Sequence, residues 1–233
     1  MAECGLCGNL GRVGFGLPGM QTLGDGWWAC PRCEAGRAAI RLAQGARAQM
    51  AMANAQIPRK FAEWDLDSWG ARTQKMIEKV AALRRVREWV EKPSRPWLFV
   101  CGGTGRGKTG LACGALKALA LQGRQGYFVC TYDMFDEMKA RFGGDEDGYK
   151  QALAQADVLV LDELVAVQQT TWRQGVLFEL ILRRDAGGRT TIFTSYEDRP
   201  ERVSEAISEA GWRRVRDNSL LVRLEGKEID WGK

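Results

Sequence analysis

Histidine is absent from the 233 residues of this sequence. Without imidazole, a Ser-His-Asp triad, a histidine-ligated metal site and a histidine pH switch are all excluded. Long hydrophobic runs are also missing, because no apolar stretch approaches the ~20 residues that cross a bilayer. The N-terminus lacks the basic segment followed by an apolar segment that marks a signal peptide. We therefore expect a cytoplasmic protein with no membrane partner.

The charge balance is mildly basic. Lysine and arginine number 34 against 29 aspartates and glutamates, which gives a formal net charge of +5. Such an excess is compatible with a polyanionic partner without proving one. Apolar residues make up 45% and charged residues 27%, so the main part of the chain can bury a core. The length suits one ordinary domain plus a small module.

Four of the seven cysteines form two Cys-x-x-Cys pairs, Cys4 with Cys7 and Cys30 with Cys33. Two such pairs, 22 residues apart, predict a four-cysteine zinc ribbon over residues 1–33. A segment this short has too few apolar residues for a core, so bound Zn²⁺ would supply its folding free energy. A redox-active pair and an iron–sulfur cluster are the alternatives. The odd number of cysteines favours a reducing compartment over a disulfide framework.

Residues 34–96 are predicted to be a helical linker. A first helix over 34–56 has apolar residues three and four positions apart, and Pro58 breaks it. An aromatic-rich anchored segment at 59–71 and a second helix over 72–92 follow. The second helix and its flanks carry eight basic and three acidic residues. A solvated helix face is the favoured interpretation of this excess, and a surface that faces nucleic acid is the alternative.

From residue 97 onward, short apolar runs alternate with helical stretches. The predicted strands are 97–101, 126–131, 157–161, 190–194 and 219–224, with helices at 108–122, 133–142, 171–185 and 199–210. This alternation predicts an α/β fold with a five-stranded parallel sheet covered on both faces. The resulting domain, 97–233, leaves no length for a separate helical lid after the last strand.

A glycine-rich motif follows the first predicted strand and opens a predicted helix. It fits G-x-x-x-x-G-K-[ST], the Walker A motif, whose backbone amides cradle nucleotide phosphates. Its residues are Gly102, Gly103, Thr104, Gly105, Arg106, Gly107, Lys108 and Thr109. Lys108 is expected to reach the β- and γ-phosphates of ATP, and the Thr109 hydroxyl to ligate Mg²⁺.

A second motif ends the third predicted strand, where Asp162 and Glu163 follow four apolar residues. The carboxyl ends of parallel strands are the ligand-binding edge of open α/β sheets. This Walker B pattern predicts that Asp162 holds Mg²⁺ through its water shell and that Glu163 polarises the water attacking the γ-phosphate. Two carboxylates that merely cap a strand are the alternative. The two motifs together favour an ATPase.

These segments resemble one family, the bacterial DnaC/DnaI-type helicase loaders, which are AAA+ ATPases related to the IstB transposition helper. The resemblance covers 57–233. It includes Ile-Pro-Arg-Lys-Phe at 57–61, the two motifs in family order, and the last strand beginning at Ser219. DnaI-type loaders also have an N-terminal zinc-binding domain, which the four cysteines would match. The fold implied is an AAA+ P-loop NTPase core without a C-terminal helical lid.

The resemblance implies a function in DNA replication. Such a protein would use ATP and Mg²⁺ to load a hexameric replicative helicase onto single-stranded DNA, in a bacterial cell or from a phage genome. It would self-associate into a spiral or ring, with the zinc module and first helix gripping the helicase. An IstB-like transposition helper acting on duplex DNA is one alternative. An ATP-switched adaptor with negligible hydrolysis is another.

Two positions carried over from the family remain open. An arginine before the last strand would act on the ATP of a neighbouring subunit; Arg214 matches best, with Arg213 and Arg216 as further candidates. After the fourth strand the family usually has Thr-Ser-Asn, but this chain has Tyr196 in the asparagine position. Either Thr194 or Ser195 replaces that asparagine, or hydrolysis is slow.

Aromatic residues after the second strand form a last candidate site. Family members offer residues from this region to a central pore, where single-stranded DNA stacks on aromatic rings. Tyr132 and Phe135 are the candidates here, and burial in the core is the favoured interpretation for Phe135.

Overall fold

A computed structural model describes residues 4–8, 10–14, 16, 20, 22–24, 26–165 and 170–229. The N-terminal part contains a small antiparallel sheet in the order β1-β3-β2. Its strands are β1 (Arg12–Val13), β2 (Thr22–Gly24) and β3 (Trp27–Ala29), and helix α1 (Glu34–Ala53) follows. The short strands bring the two Cys-x-x-Cys pairs together.

Two more helices precede the main sheet. A single 3-10 turn (Arg59–Phe61) is followed by α2 (Leu66–Thr73) and α3 (Ile77–Glu91). Helix α2 begins at a capping box, because the Asp65 carboxylate accepts from the Ser68 backbone N–H at 2.7 Å and the Ser68 hydroxyl accepts from the Asp65 N–H at 2.9 Å. The anchored segment predicted at 59–71 is therefore largely helical, and the second predicted helix starts five residues later than expected.

The main sheet has five parallel strands in the order β5-β6-β7-β4-β8. The strands are β4 (Trp97–Cys101), β5 (Gly126–Cys130), β6 (Val158–Asp162), β7 (Thr190–Ser195) and β8 (Ser219–Arg223). The helices between them are α4 (Lys108–Leu121), α5 (Thr131–Ala140), α6 (Glu146–Gln155), α7 (Thr171–Ala186), α8 (Pro200–Ile207) and α9 (Glu209–Asn218). The predicted α/β fold with a five-stranded parallel sheet is confirmed, and nothing helical follows β8 among the described residues.

Successive side chains along the central strands point alternately to the two faces of the sheet, and each face is covered by a layer of helices. Trp97 and Phe99 of β4 pack against one hydrophobic cluster, formed with α5 to α9. Leu98 and Val100 pack against the other cluster, formed with α2, α3 and α4. Helices α2 and α3 thus belong to the layer that covers the sheet. The division of the chain at residues 33 and 96 stays a prediction.

Two helical features differ from the sequence prediction. Helix α6 was not predicted, because its acidic first turn and Gly148 hide a short amphipathic pattern in which Tyr149 and Leu153 are buried. The helix predicted at 199–210 is two helices, separated at Ser208, which has φ +67° and caps α9 by accepting from the Gly211 N–H at 3.2 Å. None of the helices in the described ranges is long and apolar enough to cross a membrane.

Candidate functional site

The glycine-rich loop connects the carboxyl end of β4 to the first turn of α4. Gly102, Gly105 and Gly107 have positive φ angles of 138°, 73° and 89°. A Cβ on Gly102 would lie 2.3 Å from the carbonyl oxygen of Leu224, so only glycine fits there. Because the loop ends at a helix N-terminus, free backbone amides and the helix dipole both favour an anion at this point.

Lys108 is half-buried at the start of α4. Its ammonium group donates to the carbonyl oxygen of Gly103 at 3.0 Å. Burial lowers the pKa of Lys108, and the carboxylates of Asp162 and Glu163 partly oppose that shift. A partly desolvated cation held across the loop in this way is suited to phosphate oxygens.

Asp162 ends β6 beneath the loop and is 6% exposed. Its Oδ1 accepts from the hydroxyl of Thr109 at 3.0 Å and from that of Thr194 at 2.6 Å. Burial raises the pKa of Asp162, and the two hydroxyl donors act in the opposite direction. Neighbouring ligands on an octahedral Mg²⁺ lie about 2.9 Å apart, so the Thr109 and Asp162 oxygens fit that ion or its water shell.

Glu163 has an exposed side chain and an unusual backbone. Its φ of +58° is in the left-handed region, which costs a residue with a side chain roughly 1–3 kcal/mol. The Glu163 N–H donates to the Thr194 hydroxyl at 2.9 Å, and its carbonyl oxygen accepts from the Thr131 hydroxyl at 2.8 Å. This backbone directs the residue into the cavity beside the loop.

That cavity has a volume of ≈ 480 Å³. Its lining comprises Lys60, Phe61, Trp64, Arg72, Thr104, Gly105, Gly107, Lys108, Thr109, Gly110, Glu163 and Tyr196. The structure thus brings both predicted motifs to one place. Gly102, Gly103 and Arg106 belong to the same loop, and Arg106 donates to the carbonyl oxygen of Leu224 at 3.2 Å.

The sequence analysis did not predict one wall of the cavity. It comes from the segment before α2 and from α2 itself, where the Arg72 guanidinium lies 4.7 Å from the Trp64 ring centroid and the Lys60 ammonium 4.9 Å from that of Phe61. Trp69 is fully buried behind this wall, and its indole N–H donates to the carbonyl oxygen of Gly107 at 3.0 Å. The aromatic residues of 59–71 were the only signal in the sequence.

The carboxyl end of β7 shows which hydroxyl lies near the carboxylates. The Thr194 hydroxyl contacts Asp162 and Glu163, whereas that of Ser195 is bonded to the backbone of Glu197. Tyr196 is 51% exposed and lines the cavity. An aromatic ring therefore stands at the position where the resemblance led us to expect an asparagine amide.

The candidate arginines lie away from this cavity. Arg214 is on α9, with its Nε 3.5 Å from an Asp185 carboxylate oxygen. Arg213 and Arg216 both lie near Asp217 and share with Arg214 a surface groove of ≈ 1010 Å³. Helix α9 ends where β8 begins. The amino ends of the parallel strands, where Arg214 lies, are on the opposite side of the sheet from the carboxyl ends that carry the glycine-rich loop.

The four N-terminal cysteines form one cluster, with all sulfur atoms within 4.8 Å of one another. The sulfurs of Cys4 and Cys30 are 3.8 Å apart, and those of Cys7 and Cys33 are 3.6 Å apart. Tetrahedral Zn²⁺ with 2.3 Å bonds needs about 3.8 Å between sulfurs, so the cluster fits that ion. The backbone N–H of Leu6 is the main group lowering the pKa of Cys4 to about 7, whereas burial raises the pKa of Cys7.

The remaining candidate surfaces are only partly available to a ligand. Lys79, counted in the basic helix, is fully buried and donates to the carbonyl oxygen of Lys227. Arg87 forms an ion pair with Asp67. The accessible charge on α3 is therefore smaller than the count of basic residues in the sequence.

Tyr132 is 56% exposed at the start of α5, whereas Phe135 is buried, which is the interpretation that the sequence analysis favoured.

Comparisons with known proteins give the family. The family model for IstB-like ATP binding protein matches residues 35–201. The replicative helicase loader DnaC of Escherichia coli (strain K12) is 26% identical over 162 residues, which cover 63% of this chain and 66% of DnaC, slightly under two thirds of its length.

Two solved structures share the fold. A crystal structure of the DnaC helicase loader superposes with a TM-score of 0.65 at 23% identity, covering 72% of this chain and 100% of that one. A crystal structure of DnaI gives 0.63 at 19% identity, with 73% and 96% covered. The match of the family model to most of the chain, over a fold that these structures share, shows that this protein belongs to the family of IstB-like ATP-binding proteins.

Proposed function

We propose that this protein is an ATP-dependent loader of a replicative DNA helicase. The observation that carries the proposal is that the glycine-rich loop and Glu163 line one cavity, with Asp162 bonded to the Thr109 hydroxyl of that loop, in a chain whose sequence is similar to DnaC over 162 residues. The cavity supports ATP hydrolysis, and the similarity supports the loading role. The zinc module, self-association and single-stranded DNA binding are parts of the same proposal.

The nucleotide would lie along the cavity with its phosphates at the loop. The loop amides and Lys108 would hold the phosphate oxygens, while Phe61 and Trp64 offer aromatic faces for the base. Mg²⁺ would be held by Thr109 and Asp162 and would neutralise charge on the phosphates. The other loop residues, Gly102 to Gly107, provide a backbone that approaches the phosphates closely.

Hydrolysis would use Glu163 as the general base. The water oxygen forms a bond to the γ-phosphorus, and the bond from that phosphorus to the β–γ bridging oxygen breaks, giving ADP and phosphate. The exposed Glu163 carboxylate takes the water proton and returns it to the released phosphate. Lys108 and an arginine from a neighbouring subunit stabilise the charge on the transferring group.

The cysteine cluster would be a structural zinc site. Cys4, Cys7, Cys30 and Cys33 supply four thiolates and leave no open position for a substrate. Since the described part of the module buries only Cys7, Val13, Ala29 and Cys30 among its apolar residues, the module would depend on the metal for its fold. We assign this module to gripping the hexameric helicase, and exposed Tyr132 to contacting single-stranded DNA.

Capture of the cognate replicative helicase on beads tests the loading role. We expect the intact protein to be captured in an ATP-dependent manner, and the double variant Cys30→Ser/Cys33→Ser to lose capture while retaining ATP binding. The reason is that removing two thiolates destroys the zinc site without touching the sheet. Metal analysis should find one zinc ion per wild-type chain and a large loss in the variant.

Cys113→Ala is the matched control, because it removes a buried thiol of α4 that is outside the cluster. It should keep both the zinc ion and helicase capture. Helicase capture by the zinc-free protein at the wild-type level would contradict the assigned role of the module. An intact protein that ignores the helicase and stimulates a transposase on duplex DNA would be an IstB-like transposition helper instead.

The position of Arg214 supports action on a neighbouring subunit. We expect Arg214→Ala to lower ATP turnover on the order of 10³-fold. Mixing it with Lys108→Ala subunits should restore measurable turnover, because each subunit supplies the group that the other lacks. Steady-state phosphate release across a series of mixing ratios provides the measurement.

Arg202→Ala serves as the control, since Arg202 is an exposed α8 residue paired with Glu205 at 3.1 Å. Its turnover should match the wild type. If both variants fold and assemble yet no mixing ratio restores turnover, Arg214 is not the trans-acting residue and Arg213 or Arg216 takes its place.

A further inference from the structure

We infer that two threonines, Thr131 and Thr194, are positioning residues that fix the Asp162–Glu163 pair for hydrolysis; this inference rests on the proposed ATPase activity. Neither belongs to the two nucleotide-binding motifs. Both are fully buried, and they reach the pair from opposite sides. Thr131 follows β5 and Thr194 is on β7, the two strands that flank β6 in the sheet.

Thr194 connects the two carboxylate residues through a single oxygen atom. Its hydroxyl proton is donated to Asp162 Oδ1 at 2.6 Å, and the same oxygen accepts the Glu163 backbone N–H at 2.9 Å. A hydroxyl has one proton and two lone pairs, so both bonds can form together. The carbonyl oxygen of Thr194 also accepts the Leu164 N–H at 2.8 Å. Thr194 therefore contacts three consecutive residues at the end of β6.

Thr131 holds the other peptide group of Glu163. Its hydroxyl donates to the Glu163 carbonyl oxygen at 2.8 Å. Both peptide groups that flank the Glu163 Cα are thus bonded to threonine hydroxyls, one from β7 and one from the first residue of α5. A left-handed backbone at a residue with a side chain persists only where its surroundings impose it. The two hydroxyls are the groups that impose it here, with Glu163 at φ +58°.

The consequence for catalysis concerns the direction of the Glu163 carboxylate. If the backbone relaxed to an ordinary negative φ, the side chain would leave its present place on the cavity wall. A displacement of about 1 Å at a reacting group can lower a rate about 10²-fold. The Thr194 hydroxyl also contacts Asp162, so its removal should lower the rate of hydrolysis more than removal of the Thr131 hydroxyl.

Valine substitutions test the inference, because valine keeps the branched shape of threonine and removes the hydroxyl. We expect Thr194→Val to lower kcat about 10²-fold while the dissociation constant for ATP stays within about threefold of the wild type. Thr194→Ser, which keeps the hydroxyl, should recover kcat to within about threefold. Thr131→Val should lower kcat by a smaller factor, also without weakening ATP binding.

Thr191→Val is the matched control on the same strand. Thr191 is fully buried and accepts from Arg184 Nε at 2.8 Å, so its loss disturbs the core without touching the carboxylates. A merely structural effect would lower thermal stability in all valine variants and leave kcat unchanged. In the Glu163→Gln background, Thr194→Val should cause little further loss of kcat if it acts mainly through Glu163.

The outcomes separate the inference from the proposed function. Wild-type protein without turnover, in the presence of helicase and Mg²⁺, would overturn the ATPase activity and the inference with it. Wild-type turnover that Thr194→Val leaves unchanged would overturn the inference alone. Should Thr194→Val fail to fold, unchanged kcat in Thr131→Val would overturn the inference just as well.

Discussion

ATP binding is expected to disappear when Lys108 is replaced by alanine. The Lys108 ammonium spans the glycine-rich loop to the Gly103 carbonyl oxygen at 3.0 Å. Without it, the phosphate charge would be uncompensated in a preformed and partly desolvated loop. Titration calorimetry should detect no binding. In thermal unfolding, ATP at 100 times the wild-type dissociation constant should add about 2.7 kcal/mol to wild-type stability and nothing to the variant.

The control for this experiment is Lys150→Ala. Lys150 carries the same charge on α6 and pairs with Glu146 at 2.6 Å, away from the cavity. Its affinity for ATP should equal that of the wild type. An affinity of Lys108→Ala within about threefold of the wild type would contradict the assignment of the loop as a phosphate site.

Loss of turnover with retained ATP binding is the expected result for Glu163→Gln. The amide keeps the size of the side chain, and the backbone bonds to Thr131 and Thr194 are unaffected. An amide cannot accept the water proton, so the chemical step should slow about 10²- to 10⁴-fold. Phosphate release should be measured in the assembled sample, together with the ATP dissociation constant.

Glu179→Gln is the corresponding control, because Glu179 pairs with Arg183 on α7, outside the cavity. Wild-type turnover in the Glu163→Gln protein would remove Glu163 from the mechanism. If the wild-type protein itself had negligible turnover, the chain would function as an ATP-controlled switch, which was the adaptor alternative.

The main sheet was predictable because each strand is a short, nearly continuous apolar run. Buried parallel strands need such runs, and β4 and β6 are buried along their whole length. The glycine-rich loop was predictable for a related reason, since positive φ at Gly105 and Gly107 requires glycine at fixed positions. The cysteine cluster followed from spacing alone, and its sulfur distances agree with a tetrahedral metal site.

The rest of the site depends on contacts between residues far apart in sequence. The bond from Trp69 to Gly107 joins residues 38 positions apart, and no local pattern signals it. The Thr131 and Thr194 hydroxyls are 32 and 31 positions from Glu163. A threonine near the end of a strand is ordinary β-sheet composition. Sequence reasoning therefore identified the carboxylates and named Thr194 as one of two candidates for the missing asparagine. It did not identify Thr131, nor the bonds by which the two threonines hold the Glu163 backbone.

The bond between Trp69 and Gly107 has a thermodynamic consequence. Helix α2 and the glycine-rich loop are joined by a buried hydrogen bond of 3.0 Å, so a displacement of either one strains the other. A partner that shifts α2, and the loop with it, would change the affinity for ATP to the extent that the two loop arrangements bind the nucleotide differently. By reciprocity, ATP must change the affinity for that partner by the same factor.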